Sequence, residues 1–144
     1  MALRRSMGLR NALLGTGGWQ AIMAGGYLDI YSGSQPVDAN QIETGTKLCS
    51  ITATSGTGGI SFGTAASGSI TKNAVGWSGT VLASGVAGWA RLYDANKTTG
   101  SNGTAVRMDM SVGLSGADLV LTHTNLTADS VLTIKTFTIT EPAE

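Results

Sequence analysis

The run "AVRMDMSV" at residues 105–112 alternates without a fault. Val106, Met108, Met110 and Val112 point one way, and Arg107, Asp109 and Ser111 point the other. A period of two is the signature of a β-strand, in which successive side chains leave opposite faces of a sheet. A shift of one residue would turn the whole apolar row to the wrong face, so the pairing register of this strand is well specified. Shorter runs of the same kind, rich in Thr, Val and Ser, recur from Tyr27 onward and are punctuated by Gly or Asn clusters. The candidate strands are 27–31, 47–54, 59–62, 69–72, 77–83, 88–93, 105–112, 118–124 and 131–140. Many short strands at this spacing predict an all-β fold, a β-sandwich of jelly-roll-like topology.

Two of these runs carry further detail. In 118–124, Leu119 and Leu121 face inward and His123 shares their face, so His123 reads as a half-buried structural residue. In 131–140, Leu132 and Ile134 lie on one face but Phe137 and Ile139 on the other. Either a bulge near residues 135–136 absorbs the extra residue, or the strand passes from one sheet to a second. Cys49 falls within a strand and reads as a small buried hydrophobe. Trp77 and Trp89 read as core plates. The segment "YLDIYSGSQPVDANQIETGTKL" is a strand, a long loop and a second strand start. Gly33 supplies a positive φ, Pro36 removes a ladder donor, and Asp38 and Asn40 cap loop amides.

The first 26 residues differ in character. They hold Arg4, Arg5 and Arg10 and no acid, the first being Asp29. Leu3, Met7, Arg10 and Leu14 fall on one side of a helix expected over 3–14, with Leu9 off that side and Gly15 as its stop. "GTGG" reads as a hinge and "WQAIMA" as a second helical turn. The expectation is therefore an N-terminal arm, 1–26, and a β-sandwich domain, 27–144. Helices this short need a surface to dock on. Leu3, Arg4, Arg5, Met7, Leu9, Arg10, Leu14 and Trp19 are the candidate protein-interface residues. Three arginines with no interleaved aromatic residue give only a weak phosphate term, so a nucleic-acid partner is not expected.

Catalytic chemistry finds little to work with. The chain has one His and one Cys, too few for a metal site or a nucleophilic triad built from His or Cys. "GTGGW" and "GTGGIS" lack the Lys–Ser/Thr ending of a phosphate loop. Asp94 with Asn96, and Asp38 with Asn40, lack the downstream acids of a calcium loop, and Asp109 stands alone between two methionines. No catalytic residue, cofactor or metal is expected. The N-terminal apolar stretch is broken by Ser6, Gly8, Arg10 and Asn11, which does not fit a signal peptide, and no run approaches a membrane span. Charged residues are 12% of the chain, about half the usual share, with formal net charge +0. Such a surface favours association, so a homo-oligomer or a protein partner is expected.

The stretches "GLRNALLGTGGWQ" and "GGYLDIYSGSQPVDANQIETGTKL", followed in order by "ISFGTAASGSITK", "WSGT", "AGWARLYD" and "GTAVRMDMSVG", carry a resemblance over nearly the whole chain. It resembles a family of small virion proteins of tailed bacteriophages; the Arg4–Arg5 pair and the length before "GLRN" depart from that pattern. The resemblance implies a structural protein without enzymatic activity, located in the virion and made in the host cytoplasm. Its implied partners are the major capsid protein or other virion proteins, and its implied role is capsid decoration (cement). A ring-forming neck or tail protein is the alternative. A carbohydrate-binding or host-adhesion sandwich is a third reading, against which the two long loops, "SGSQPVDANQIETG" and "NKTTGSNG", contain no aromatic residue.

Overall fold

The computed structural model describes residues 3–53, 58–74 and 76–140. Thr54, the last residue of one expected strand, and residues 141–144 of the expected sandwich domain lie outside the described residues. The chain is an all-β sandwich. Its elements run β1 (Arg4–Arg5), α1 (Met7–Gly15), α2 (Trp19–Met23), β2 (Tyr27–Ser32), β3 (Lys47–Ile51), β4 (Ser69–Thr71), β5 (Trp77–Thr80), β6 (Gly85–Tyr93), β7 (Arg107–Gly113), β8 (Leu119–Val120), β9 (Asn125–Leu126), β10 (Val131–Ile134) and β11 (Thr138–Thr140).

One seven-stranded sheet carries the order β1-β7-β6-β2-β3, with β8 parallel to β7 and β9 antiparallel to β6. Two antiparallel ribbons, β5–β10 and β4–β11, complete the fold. Among the described residues the strands thus divide seven, two and two, rather than into the two sheets of a jelly roll. The β5–β10 ribbon joins β3 through the bridges Cys49↔Val81 and Thr52↔Ser78. The 59–62 run forms only the bridges Gly26↔Ile60 and Phe62↔Lys72, which tie β2 to the β4–β11 ribbon. The 118–124 run pairs over two residues before the chain turns away, and His123 is exposed instead of half-buried, its Nδ1 3.1 Å from Thr122 Oγ1.

Register sorts the main sheet into alternating rows. Leu28 stands opposite Leu92, which stands opposite Met108; Ile30 and Ala90 line up likewise with Met110. These rows are fully buried and face the ribbons, where Phe62 and Trp77 meet edge to face at 5.2 Å and Phe137 tilts against both. The period fault at 131–140 is the exchange between sheets. Leu132 and Ile134 enter the core from β10, the chain leaves that ribbon over 135–137, and Phe137 and Ile139 enter from β11.

The N-terminal segment is a correction to the expected arm. Arg4 and Arg5 pair with Asp109 and Met108, so the chain enters as an edge strand of the main sheet. The helix begins at Met7, not Leu3, because Ser6 caps it. The buried Ser6 hydroxyl donates to the Ala105 carbonyl at 2.7 Å and accepts the amides of Leu9 and Arg107. Gly8 lets α1 lie directly on the chain before β7; a Cβ there would stand 2.2 Å from the Thr104 carbonyl oxygen. The apolar side of the helix is also not the expected one. Leu9 is wholly buried and Leu13, one turn on, packs against the core, while Met7 and Leu14 are exposed. Burying one leucine of this kind stabilises by roughly 1.5–3 kcal/mol, so residues 3–9 belong to the body of the sandwich.

Candidate functional site

The second face of the main sheet is the unexpected part of the molecule. Its cross-strand rows read Asp29–Arg91–Asp109 and Tyr27–Tyr93–Arg107, with Tyr31 beside Trp89. Asp29, Arg91, Arg107 and Asp109 have no exposed surface. Two loops cover them, residues 33–46 between β2 and β3 and residues 94–106 between β6 and β7. Asp109 is not alone. Arg91 donates to it twice, Nε to Oδ1 at 2.5 Å and Nη2 to Oδ2 at 2.9 Å, which is the bidentate geometry that suits a guanidinium and a carboxylate.

Arg107 holds the loops themselves. Its guanidinium donates to the carbonyls of Ala39 (2.6 Å), Asn40 (2.8 Å) and Gln41 (3.3 Å) in the first loop and of Thr98 (3.0 Å) and Gly100 (2.6 Å) in the second. Arg91 Nη1 adds the Gln41 carbonyl at 2.8 Å. Glu43 returns the contact from the loop side. It accepts the Tyr93 hydroxyl at 2.8 Å and the Gly100 amide at 3.0 Å, and lies 3.3 Å from Arg91 Nη1 and 3.8 Å from Arg107 Nη1. Two cations and two carboxylates therefore balance in one water-poor layer. The loop ends close at Gly33 and Gly45, both at positive φ, and Asp38 caps the Asn40 amide as expected. Trp89 stacks on Tyr31 at 4.6 Å and donates from Nε1 to the Thr44 carbonyl at 3.2 Å.

Burial is the largest influence on each of these groups. It pushes the Tyr31 hydroxyl up to about 12 and raises Tyr93 further. It raises Asp109, against the pull of the Arg91 hydrogen bonds and charge. It works against the Arg91 cation, but the bond to Asp109 prevails and Arg91 is raised. Burial also works to raise Glu43, but hydrogen bonds from its own amide, Tyr93 and Gly100, together with the Arg91 charge, leave it below the ordinary carboxylate value. These groups hold charges and hydrogen bonds in place. Their polar atoms are spent on one another and on loop carbonyls, which makes the cluster a latch.

The eight residues expected at an interface do not act as one surface. Arg4, Met7, Arg10 and Leu14 are exposed, Leu14 most of all at 88%. Arg4 donates to the Pro36 carbonyl at 2.9 Å, and the Met7 amide donates to Asn40 Oδ1 at 3.0 Å, so both rest on the latched loop. Leu9 is in the core, and Leu3 packs against it. Arg5 and Trp19 line a mainly apolar cleft of about 550 Å³ with Leu13, Ile70 and Ile139. Trp19 also meets Phe62 edge to face at 5.7 Å, so much of its ring is committed internally. Sequence reasoning missed Arg91, Arg107, Asp109 and Glu43; the signal present for the first three was the charged residues on the polar face of two strands, Arg91 in "WARLY" and Arg107 and Asp109 in "VRMDM", and Glu43 lies in a loop with no such pattern. Trp77 and Trp89 are buried as expected, and no Trp, Tyr or Phe is fully exposed. The chain matches no protein-family profile, no curated protein and no solved structure.

Proposed function

We propose that this protein is a structural component of a tailed-bacteriophage virion, a decoration protein that binds and stabilises the capsid shell. The observation that carries the reading is where the charge goes. In a chain with only 12% charged residues, Asp29, Arg91, Arg107 and Asp109 are buried in service of two loops. The result is a stiff body whose surface keeps few charges and shows single apolar side chains such as Met7, Leu14, Val37 and Ile42. Such a surface suits repeated contact with protein neighbours, where many weak contacts add by avidity. The sequence resemblance points the same way. Because residues 3–9 are built into the sheet, the contact is made by the exposed side chains of a docked helix, and not by a free arm.

The test is the amount of this protein in purified particles, measured against the major shell protein. Decoration predicts copies on the scale of the shell lattice; a neck or tail protein predicts one ring's worth. Absence from the particle would end both readings. A glycan-binding role is disfavoured, since aromatic platforms on the surface are what such sites use and no aromatic side chain is fully exposed.

A further inference from the structure

The Asp29 carboxylate has no exposed surface, yet two lysines converge on it. Lys97 Nζ lies 3.2 Å from Oδ1, and Lys47 Nζ lies 3.8 Å from Oδ2. Ser50 Oγ donates to Oδ1 at 2.6 Å. Oδ2 is buried and accepts no hydrogen bond, an uncommon state for a carboxylate oxygen inside a protein. Lys97 reaches the site from the 94–106 loop with a left-handed backbone, φ 47°, which a residue with a side chain seldom adopts. Its ammonium lies 5.1 Å from the centre of the Tyr27 ring and 5.9 Å from that of Tyr93, and its side chain is 26% exposed.

We propose that Lys97 and Asp29 condense without a catalyst from outside the chain, forming an intramolecular isopeptide bond that staples the 94–106 loop to β2. The Lys97 ammonium first yields a proton to the carboxylate, and the neutral amine then attacks the Asp29 carboxyl carbon. Oδ1 takes the negative charge of the tetrahedral intermediate and keeps the Ser50 hydrogen bond. Oδ2, the oxygen with no hydrogen bond and an ammonium beside it, departs as water. Of the three protons on the Lys97 ammonium, one stays on the amide nitrogen and two leave with Oδ2, Lys47 relaying them. An ammonium and a carboxylate thus become one amide and one water, with no oxidant, activated ester or cofactor consumed. Two physical terms favour this here. The Lys97 ammonium is already held 3.2 Å from the carboxylate oxygen Oδ1, which replaces a bimolecular encounter with a positioned one. Condensation also removes a partly buried ion pair, whose desolvation is a standing cost, and leaves a neutral carbonyl already supplied with a donor. Lys47 is farther away and 41% exposed, so it is the relay and Lys97 the nucleophile. The bond is independent of where the protein acts.

Intact-mass measurement of the full chain under denaturing conditions, followed by peptide mapping, tests this directly. The expected mass is one water below that of the sequence, with a branched peptide joining Asp29 to Lys97 and no tryptic cleavage after Lys97. Lys97→Arg, which keeps the cation, is expected at its full sequence mass, and Ser50→Ala is expected to show slower or incomplete loss of water. Full sequence mass for the native protein, both fresh and after prolonged storage, would overturn the proposal. So would a branch on Lys47, or a water loss that persists in Lys97→Arg. The map of the unsubstituted protein decides the matter even where a variant fails to fold.

Discussion

The two faces of the main sheet are built on opposite principles. One face carries Leu28, Ile30, Leu92, Met108 and Met110 against the aromatic ribbons and is held by contact area alone. The other carries Asp29, Arg91, Arg107 and Asp109 under two loops and is held by directed bonds. Apolar packing tolerates a change of shape if volume is kept. A buried charge tolerates loss of its partner badly, because the charge left behind is desolvated and unpaired. The difference teaches that this sheet has two cores. The first removes a continuous apolar surface from water, and the second fixes the conformation of two loops.

That contrast can be broken most sharply at the ion pair. Asp109→Ala should cost about 3–5 kcal/mol, because the buried Arg91 loses its bidentate partner and keeps only Glu43 at 3.3 Å and the Gln41 carbonyl; the double change Arg91→Met with Asp109→Leu should recover most of that loss. Urea unfolding of the two variants checks both. If the double variant is as unstable as the single one, stability there comes from the hydrogen bonds to the loops and not from the charge balance. On the apolar face, Leu92→Ala should cost about 2–5 kcal/mol, with a different signature. Hydrogen exchange should rise across the whole sheet in Leu92→Ala, but chiefly in residues 33–46 and 94–106 in Arg107→Met.

Acid separates the faces too. Glu43 lies below the ordinary carboxylate value of 4.5 in the folded state. Its contribution to stability is therefore fully present above that value and is lost as pH falls through the lowered one. Glu43→Gln should remove this part of the acid dependence, seen as a flatter melting temperature below pH 4.5, while Leu92→Ala should shift the whole profile without changing its slope. The smallest effect is expected at the exposed end of α1. Leu14→Ser should change stability by less than about 0.5 kcal/mol, and in shell-binding measurements it should weaken attachment. Unchanged attachment would remove Leu14 from the contact surface.

Much of the fold is legible in the residues. The alternation at 105–112, the strands starting at Tyr27 and Lys47, and the presence of a period fault near 135–136 follow from period and punctuation, while the structure decides that the fault is an exchange between sheets and not a bulge. The N-terminal segment is not legible in the same way. Helical spacing selects Leu3, Met7 and Leu14, yet Leu9 is the residue that is buried, because Ser6 and the pairing of Arg4 with Asp109 set the angle at which the helix lands. His123 misleads for a related reason, since β8 is too short to carry its alternation that far. The latch is the largest omission. A polar row on an alternating strand reads as a solvated face, and only the return of two loops distant in sequence turns it into an interior.

The sequence by itself determined that this chain is a β-protein with one well-specified register, because a period of two is a local property that each residue and its neighbours encode. Only the tertiary structure decided what covers the sheet's second face, which atoms Arg107 and Glu43 bind, and that Lys97 meets Asp29. Most of those contacts join residues tens of positions apart. Their energy depends on exclusion from water, which belongs to the packed whole and to no segment of it.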